Sequence, residues 1–186
     1  PSLRALLIDH CPEIESFPEG GLPSSLEDLV ISYCEKLIAN LRDLHLQSLP
    51  SLRSFEICKF NEESFPDEVL LPCSLRELNI ELNEDMKALN EKGLIRLTSL
   101  QALNIRRCSN LLFFPEEALP TSLQTLKISD CPNLQSLPEE GLPPSLSKLI
   151  VEGCPLLKPH LERETGKYWP NIACIPYILV DNVPFH

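Results

Sequence analysis

No run in this 186-residue chain approaches the roughly 18 consecutive apolar residues that a membrane-spanning helix needs. No charged-then-apolar leader stands at its start. None of its ten asparagines opens an Asn-x-Ser/Thr sequon, so one mark of secretion is missing. Positive charge is scarce: 16 Lys and Arg face 27 Asp and Glu, a net charge of -11 that a phosphate backbone would repel. Nucleic acid is therefore not the expected partner. A Gly-x-x-x-x-Gly-Lys-Ser/Thr loop is absent, since Gly166-Lys167 is followed by Tyr168. His10, His45, His160 and His186 are scattered, with no His-Glu-x-x-His and no Cys at ligand spacing. Paired acids at Glu116-Glu117 and Glu139-Glu140 each follow proline at the same turn position and read as a solvated edge rather than a catalytic dyad. Neither catalysis nor a bound cofactor or metal is expected of this chain.

What the chain does have is repetition. Ser-Leu pairs open at Ser2, Ser25, Ser51, Ser74, Ser99, Ser122 and Ser145, at separations of 23, 26, 23, 25, 23 and 23 residues. Behind them runs the frame Leu-x-x-Leu-x-Ile-x-x-Cys, complete in Leu123, Leu126, Ile128 and Cys131. A fixed period in this range signals stacked units, each too small to bury its own apolar side and sharing one core with its neighbours. The composition, 43% apolar and 23% charged, is that of a globular protein. The chain opens at Pro1, its one methionine is Met86, and Leu3, Leu6 and Ile8 match internal units rather than a polar cap. Further units are expected upstream.

In each frame the last two apolar positions alternate with variable ones, the period of a half-buried strand. Strands joined by a complete return segment must run parallel. One inner column is expected from Leu6, Leu29, Phe55, Leu78, Leu103, Leu126 and Leu149. The return segments carry Phe17-Pro18, Phe65-Pro66, Phe114-Pro115 and Leu137-Pro138, and proline there favours turns and short helical pieces. The phenylalanines read as an inner stack. Ala39 to Leu46 and Lys87 to Leu97, in the longer units, have room for a helical turn or two. The repeats span residues 1–157, and residues 158–186 form a C-terminal cap and tail: a short helix from Pro159 to Gly166, then Trp169, Ile172 and Ile175 over the last core layer, with Val180 to His186 frayed.

Five of the eight cysteines, Cys11, Cys34, Cys108, Cys131 and Cys154, share one repeat position that Phe60 and Asn83 fill in the other two units. A position that accepts Cys, Asn and Phe packs or bonds backbone; a metal site needs a fixed donor set. In-register side chains point the same way, which would strain any bridge between units. These thiols are expected to be free and buried in a reducing compartment, with Cys58, Cys73 and Cys174 the reactive ones.

The outward positions carry eight bases, Arg4, Arg53, Lys59, Arg76, Arg106, Arg107, Lys127 and Lys148, and eight acids, Asp9, Glu27, Asp28, Glu56, Glu77, Glu81, Asp130 and Glu152. The strip is neutral, so the whole excess of acid lies on the turns, the outer side and the tail. Leu7, Val30, Tyr33, Leu82 and Ile150 also face outward, and Arg and Tyr are types enriched in binding hot spots. Tyr33, Arg53, Lys59, Arg76, Arg106, Arg107, Lys127 and Lys148 are the candidate protein-binding residues, with recognition centred on Arg106, Arg107 and Lys127. Glu81 and Arg106 fall at one position of neighbouring units and are expected to pair.

The unit Ser-Leu-Gln-Thr-Leu-Lys-Ile-Ser-Asp-Cys-Pro-Asn-Leu-Gln-Ser-Leu-Pro-Glu-Glu-Gly-Leu-Pro resembles the leucine-rich repeats of plant intracellular nucleotide-binding (NLR) immune receptors of the coiled-coil class. Gly166-Lys167-Tyr168-Trp169-Pro170-Asn171-Ile172-Ala173-Cys174-Ile175-Pro176 is similar to that family's terminal Gly-x-x-Trp-Pro-x-Ile-x-x-Ile-Pro segment. The resemblance covers essentially the whole chain. Unit three departs from it, with Phe60 for Cys and Phe65 one residue early. It implies an α/β leucine-rich-repeat solenoid, a horseshoe of about seven repeats with its parallel sheet on the concave face. It further implies a cytoplasmic module that senses a pathogen effector or guarded host protein and contributes to autoinhibition. ADP or ATP binding would belong to a nucleotide-binding domain elsewhere in the parent protein, and the partners would be proteins, that domain included. An F-box ubiquitin-ligase substrate receptor is the alternative, but its repeats resemble Cys-x-x-Ile-Thr-Asp-x-Gly, whereas Cys131 is followed by Pro132-Asn133-Leu134. An extracellular repeat receptor would show Gly-x-Ile-Pro units, sequons and paired cap cysteines.

Overall fold

The computed structural model describes residues 2–18, 21–115, 119–138 and 141–184. The acid pairs at Glu116-Glu117 and Glu139-Glu140 and the terminal His186 lie outside the described residues. In chain order the elements are β1 (Ala5–Asp9), β2 (Asp28–Ser32), α1 (Glu35–Ala39), β3 (Ser54–Cys58), β4 (Ser64–Phe65), β5 (Glu77–Glu81), β6 (Ala88–Leu89), α2 (Glu91–Ile95), β7 (Ala102–Arg106), β8 (Thr125–Ser129), β9 (Lys148–Glu152), α3 (Trp169–Ile172), β10 (Tyr177–Val180) and β11 (Val183–Pro184). Nine strands make one sheet in the order β1-β2-β3-β5-β7-β8-β9-β10-β11, with only β11 antiparallel.

The register joins Leu6, Leu29, Phe55, Leu78, Leu103, Leu126 and Leu149 into the expected inner column. It then extends the column to Ile178 of β10, a strand absent from the sequence reading. All but Leu6 are buried, and each buried leucine contributes roughly 1.5–3 kcal/mol of transfer free energy. Phe65, Leu89, Phe114 and Leu137 are buried on the return side. There β4 pairs with β6, and single bridges continue from Ala88 to Phe113 to Ser136. Phe65 is thus in step with its neighbours, despite its shifted place in the sequence.

Two local devices repeat. The hydroxyls of Ser25, Ser74, Ser122 and Ser145 donate to the carbonyls of Leu3, Leu52, Leu100 and Leu123, each 22 residues earlier, at 2.8, 3.2, 2.7 and 2.7 Å. Ser51 and Ser99 follow the longer units and make no such bond among the described residues. The second device closes each strand. His10, Tyr33, Lys59, Leu82, Arg107, Asp130 and Gly153 all have φ between 50° and 61°. For a residue other than glycine that conformation costs about 1 kcal/mol. It is offset because the N–H groups of His10, Tyr33, Lys59, Leu82, Arg107 and Asp130 carry the sheet ladder one step on, to the carbonyls of Ser32, Cys58, Glu81, Arg106, Ser129 and Glu152.

The sharp turn brings the Cys position to the sheet end, and four of the five cysteines there are buried. The Sγ–H groups of Cys34, Cys131 and Cys154 donate to the carbonyl two residues back at 3.1, 3.4 and 3.3 Å. Asn83 fills the same position with an amide that bonds differently, accepting from the Asp85 and Met86 N–H groups at 2.8 Å and donating to the Glu62 carbonyl at 3.0 Å. All eight thiols are free. Hydrogen bonding to Cys108 pushes the Cys131 thiol up to about 12. Cys58 corrects an expectation: it faces outward yet is buried, and burial followed by the charges of Glu81, Glu56 and Asp9 raises its thiol. Cys73 and Cys174 are exposed.

The tail is more ordered than its sequence suggested. A 3-10 turn, Lys158–Leu161, stops well short of Gly166, and α3 follows. Tyr168, Ile172 and Ile175 are buried over the last layer, with Trp169 packed against it. The expectation of a frayed end from Val180 fails, because Val180 is buried in β10 and paired to Val183. Asp181 and Asn182, at φ 47° and 64°, make the two-residue turn that β-hairpins favour. The short β11, ending at Pro184, then blunts the sheet edge.

Candidate functional site

On the outward side, register converts sequence positions into columns. The middle column reads Leu7, Val30, Glu56, Asn79, Asn104, Lys127, Ile150, Leu179, apolar at both ends and polar between. Acids gather on β2 to β5 (Asp28, Glu56, Glu77, Glu81) and bases on β7 to β9 (Arg106, Lys127, Lys148). At the junction lies a shallow hollow of about 300 Å³ lined by Glu56, Asn79, Glu81, Asn104, Arg106 and Lys127. The two amides in it are fixed: Asn104 Nδ2 donates to Asn79 Oδ1 at 2.5 Å and to Glu77 Oε1 at 3.3 Å. Burial, then the Glu81 and Glu77 charges, raises the Glu56 carboxyl above the ordinary range.

The eight candidate residues divide by how their charge is used. Arg106 and Arg107 both reach Glu81 Oε1, at 3.7 and 3.3 Å, and Lys127 lies 3.7 Å from Glu152. The expected Glu81–Arg106 pair is present. The three bases do stand together, but carboxylates hold all of them, in pairs whose cations are exposed and whose acids are half-buried, each worth about 1 kcal/mol. Lys59 lies 3.6 Å from Glu84, and Lys148 sits over the Tyr177 ring at 5.2 Å. Tyr33 stacks on His10 with centroids 4.4 Å apart. Arg53 and Arg76 differ from the rest. They are exposed neighbours at the leading ends of β3 and β5, the Arg76 N–H donating to the Arg53 carbonyl at 2.7 Å, and neither meets a carboxylate among the described residues. Tyr33, Lys59 and Arg107 occupy the left-handed row, whose strain recurs in every unit and so belongs to the architecture rather than to a site.

Asn79 and Asn104 were not among the candidate residues, although aligning the units by their Ser-Leu pairs places the two amides side by side. Of the outward apolar residues, Leu7 and Tyr33 are exposed while Ile150 is covered. No grouping of three or more His, Cys, Asp or Glu able to hold a metal occurs among the described residues. No helix there is long and apolar enough to cross a membrane.

No protein-family model matches the chain. Over 146 residues, 64% of its length, the chain is 37% identical to a protein of Arabidopsis thaliana whose name is "Putative disease resistance protein At3g14460". The match spans 10% of that relative, which is about ten times longer than the aligned stretch.

Proposed function

We propose that the chain is a leucine-rich-repeat segment, residues 1–157 with the cap 158–186, of a plant intracellular nucleotide-binding immune receptor of the coiled-coil class. Its outward sheet face recognises a protein, either a pathogen effector or a guarded host protein, and contributes to holding the receptor inactive. The chain itself is not an enzyme; nucleotide binding and switching reside in other parts of a cytoplasmic receptor. The named relative supports the defence role, and its length accords with a segment of a large protein.

The observation that carries the reading is the columnar outward face, where side chains from eight in-register parallel strands present a rigid strip of fixed order. Such a strip offers complementarity to another protein's surface without rearrangement, and charges on it steer encounter and exclude wrong partners. Arg53, Arg76 and Lys148, having no carboxylate partner among the described residues, are the cations free to meet acidic side chains. Replacing all three by Glu in the complete receptor should abolish the response, or release it constitutively, while the isolated chain melts as before. Normal signalling in a cell-death assay together with normal partner capture would overturn the assignment.

A further inference from the structure

The return paths of units two and four are helical, and the path between them is not. Unit two returns through α1 and two 3-10 turns, Leu41–Leu44 and Leu46–Ser48, and unit four through α2. Residues 60–70 pass between them as extended chain and turn. A notch is left on the side of the molecule away from the outward sheet face. It consists of two hollows of about 450 and 220 Å³ that share Arg42, Asp67 and Leu70. Phe60, Phe65 and Leu70 form an apolar floor, and Val69 at the mouth is 60% exposed. Gly93 keeps the wall close, because a Cβ there would run into the Pro66 carbonyl oxygen.

The charges along the notch are not all satisfied from within. Arg42 Nε donates to Asp67 Oδ2 at 2.8 Å, and Arg96 lies 3.8 Å from Glu68. Lys92 beside the larger hollow and Glu62 beside the smaller meet no opposite charge among the described residues. At the rim the Gln47 amide and the NH₂ of Asn90, whose Oδ1 accepts the Gly93 N–H at 3.1 Å, are placed to bond a main chain.

We infer that this notch is a second docking site, for a polypeptide segment of a protein partner that presents adjacent apolar side chains flanked by one acidic and one basic residue. The apolar pair covers the Phe60–Phe65–Leu70 floor, the acid meets Lys92 and the base meets Glu62. Two adjoining compartments with opposite free charges, and amides at the rim of the larger one, match a chain better than a single small molecule. The inference does not rest on the function proposed for the sheet face.

The test titrates the ¹⁵N-labelled chain with the peptide Ac-Gly-Asp-Leu-Phe-Lys-Gly-NH₂ and with a control in which Ser-Ser replaces Leu-Phe. Saturable amide shifts should cluster at residues 60–70 and 90–93 with the first peptide and be absent with the control. Lys92→Glu and Glu62→Lys, both at exposed positions, should each weaken binding at least fivefold, while Arg53→Glu with Arg76→Glu leaves it unchanged. Shifts confined to the sheet face, equal response to both peptides, no saturable shift at 60–70, or indifference to both reversals would each overturn the inference.

Discussion

The stretch from β7 to β9 and the stretch from β2 to β5 are built on one frame, yet they differ in what they leave free. From Ser99 onward the units are 23 residues long, Ser122 and Ser145 tie each to the last, and Arg106, Arg107 and Lys127 are neutralised by carboxylates, while Lys148 lies over the Tyr177 ring without one. In the earlier stretch unit lengths change from 26 to 23 to 25, and the serines that follow its two longer units, Ser51 and Ser99, make no tie, although Ser74 keeps its own. Arg53, Arg76, Glu62 and Lys92 remain without opposite charges there, and a notch opens behind the sheet. Regular stacking pairs three of its four outward bases with carboxylates. Irregular stacking leaves groups for something else to satisfy, so recognition features collect where the period breaks.

The strongest way to break this comparison is to attack the regular stretch. Leu103 is fully buried in the inner column, and Leu103→Asp places an unpaired charge there at a cost of more than about 3 kcal/mol. The array should unfold, and a melt by circular dichroism matching the parent would refute the placement. Next comes Gly93→Ala, which forces its Cβ against the Pro66 carbonyl and should cost about 1–3 kcal/mol. Amide shifts should be confined to residues 60–70 and 88–95, leaving β7 to β9 unmoved. Ser122→Ala against Ser99→Ala is a finer test: the first removes a hydrogen bond worth about 1 kcal/mol and the second removes none. Equal midpoints in urea would show that the serine tie does not distinguish the units.

The frame positions were legible because alternation and period determine which residues face the core. Leu6 through Leu149 needed only the spacing of Ser-Leu pairs. What sequence could not show was local geometry without a residue signature. The left-handed turn after each strand is held by backbone bonds, so His, Tyr, Lys, Leu, Arg and Asp all occupy it, and only Gly153 advertises it. Strand β10 lacks the Ser-Leu pair and the Cys, and was hidden for that reason. The candidate bases follow from the outward positions of the frame, but their pairing depends on side-chain reach across strands, which spacing does not give. Only the Glu81–Arg106 alignment was visible beforehand.

The smallest effect concerns acid. Hydrogen bonds from Lys158 Nζ at 2.7 Å and the Gly153 N–H at 2.9 Å hold the Asp181 carboxyl below the ordinary range. A depressed folded value contributes stability above the unfolded value of about 3.9, lost as pH falls through the folded one. Asp181→Asn should therefore cost about 0.5 kcal/mol at neutral pH and flatten the acid limb of stability against pH. Glu56 has the opposite sign, its raised value making the ionised form unfavourable in the fold, so Glu56→Gln should be neutral or slightly stabilising at pH 7.

The contrast between tied and free charge is tested most directly by comparing two charge reversals in the complete receptor. One is Arg53→Glu with Arg76→Glu; the other is Arg106→Glu with Arg107→Glu and Lys127→Glu. Receptor response is read in a cell-death assay, with the melting temperature of the isolated chain measured alongside. The free pair should alter response with no change in melting, whereas the paired trio should lower the melting temperature and alter response less. If the trio alone changes response while the chain stays equally stable, recognition lies on the regular stretch and the account is wrong.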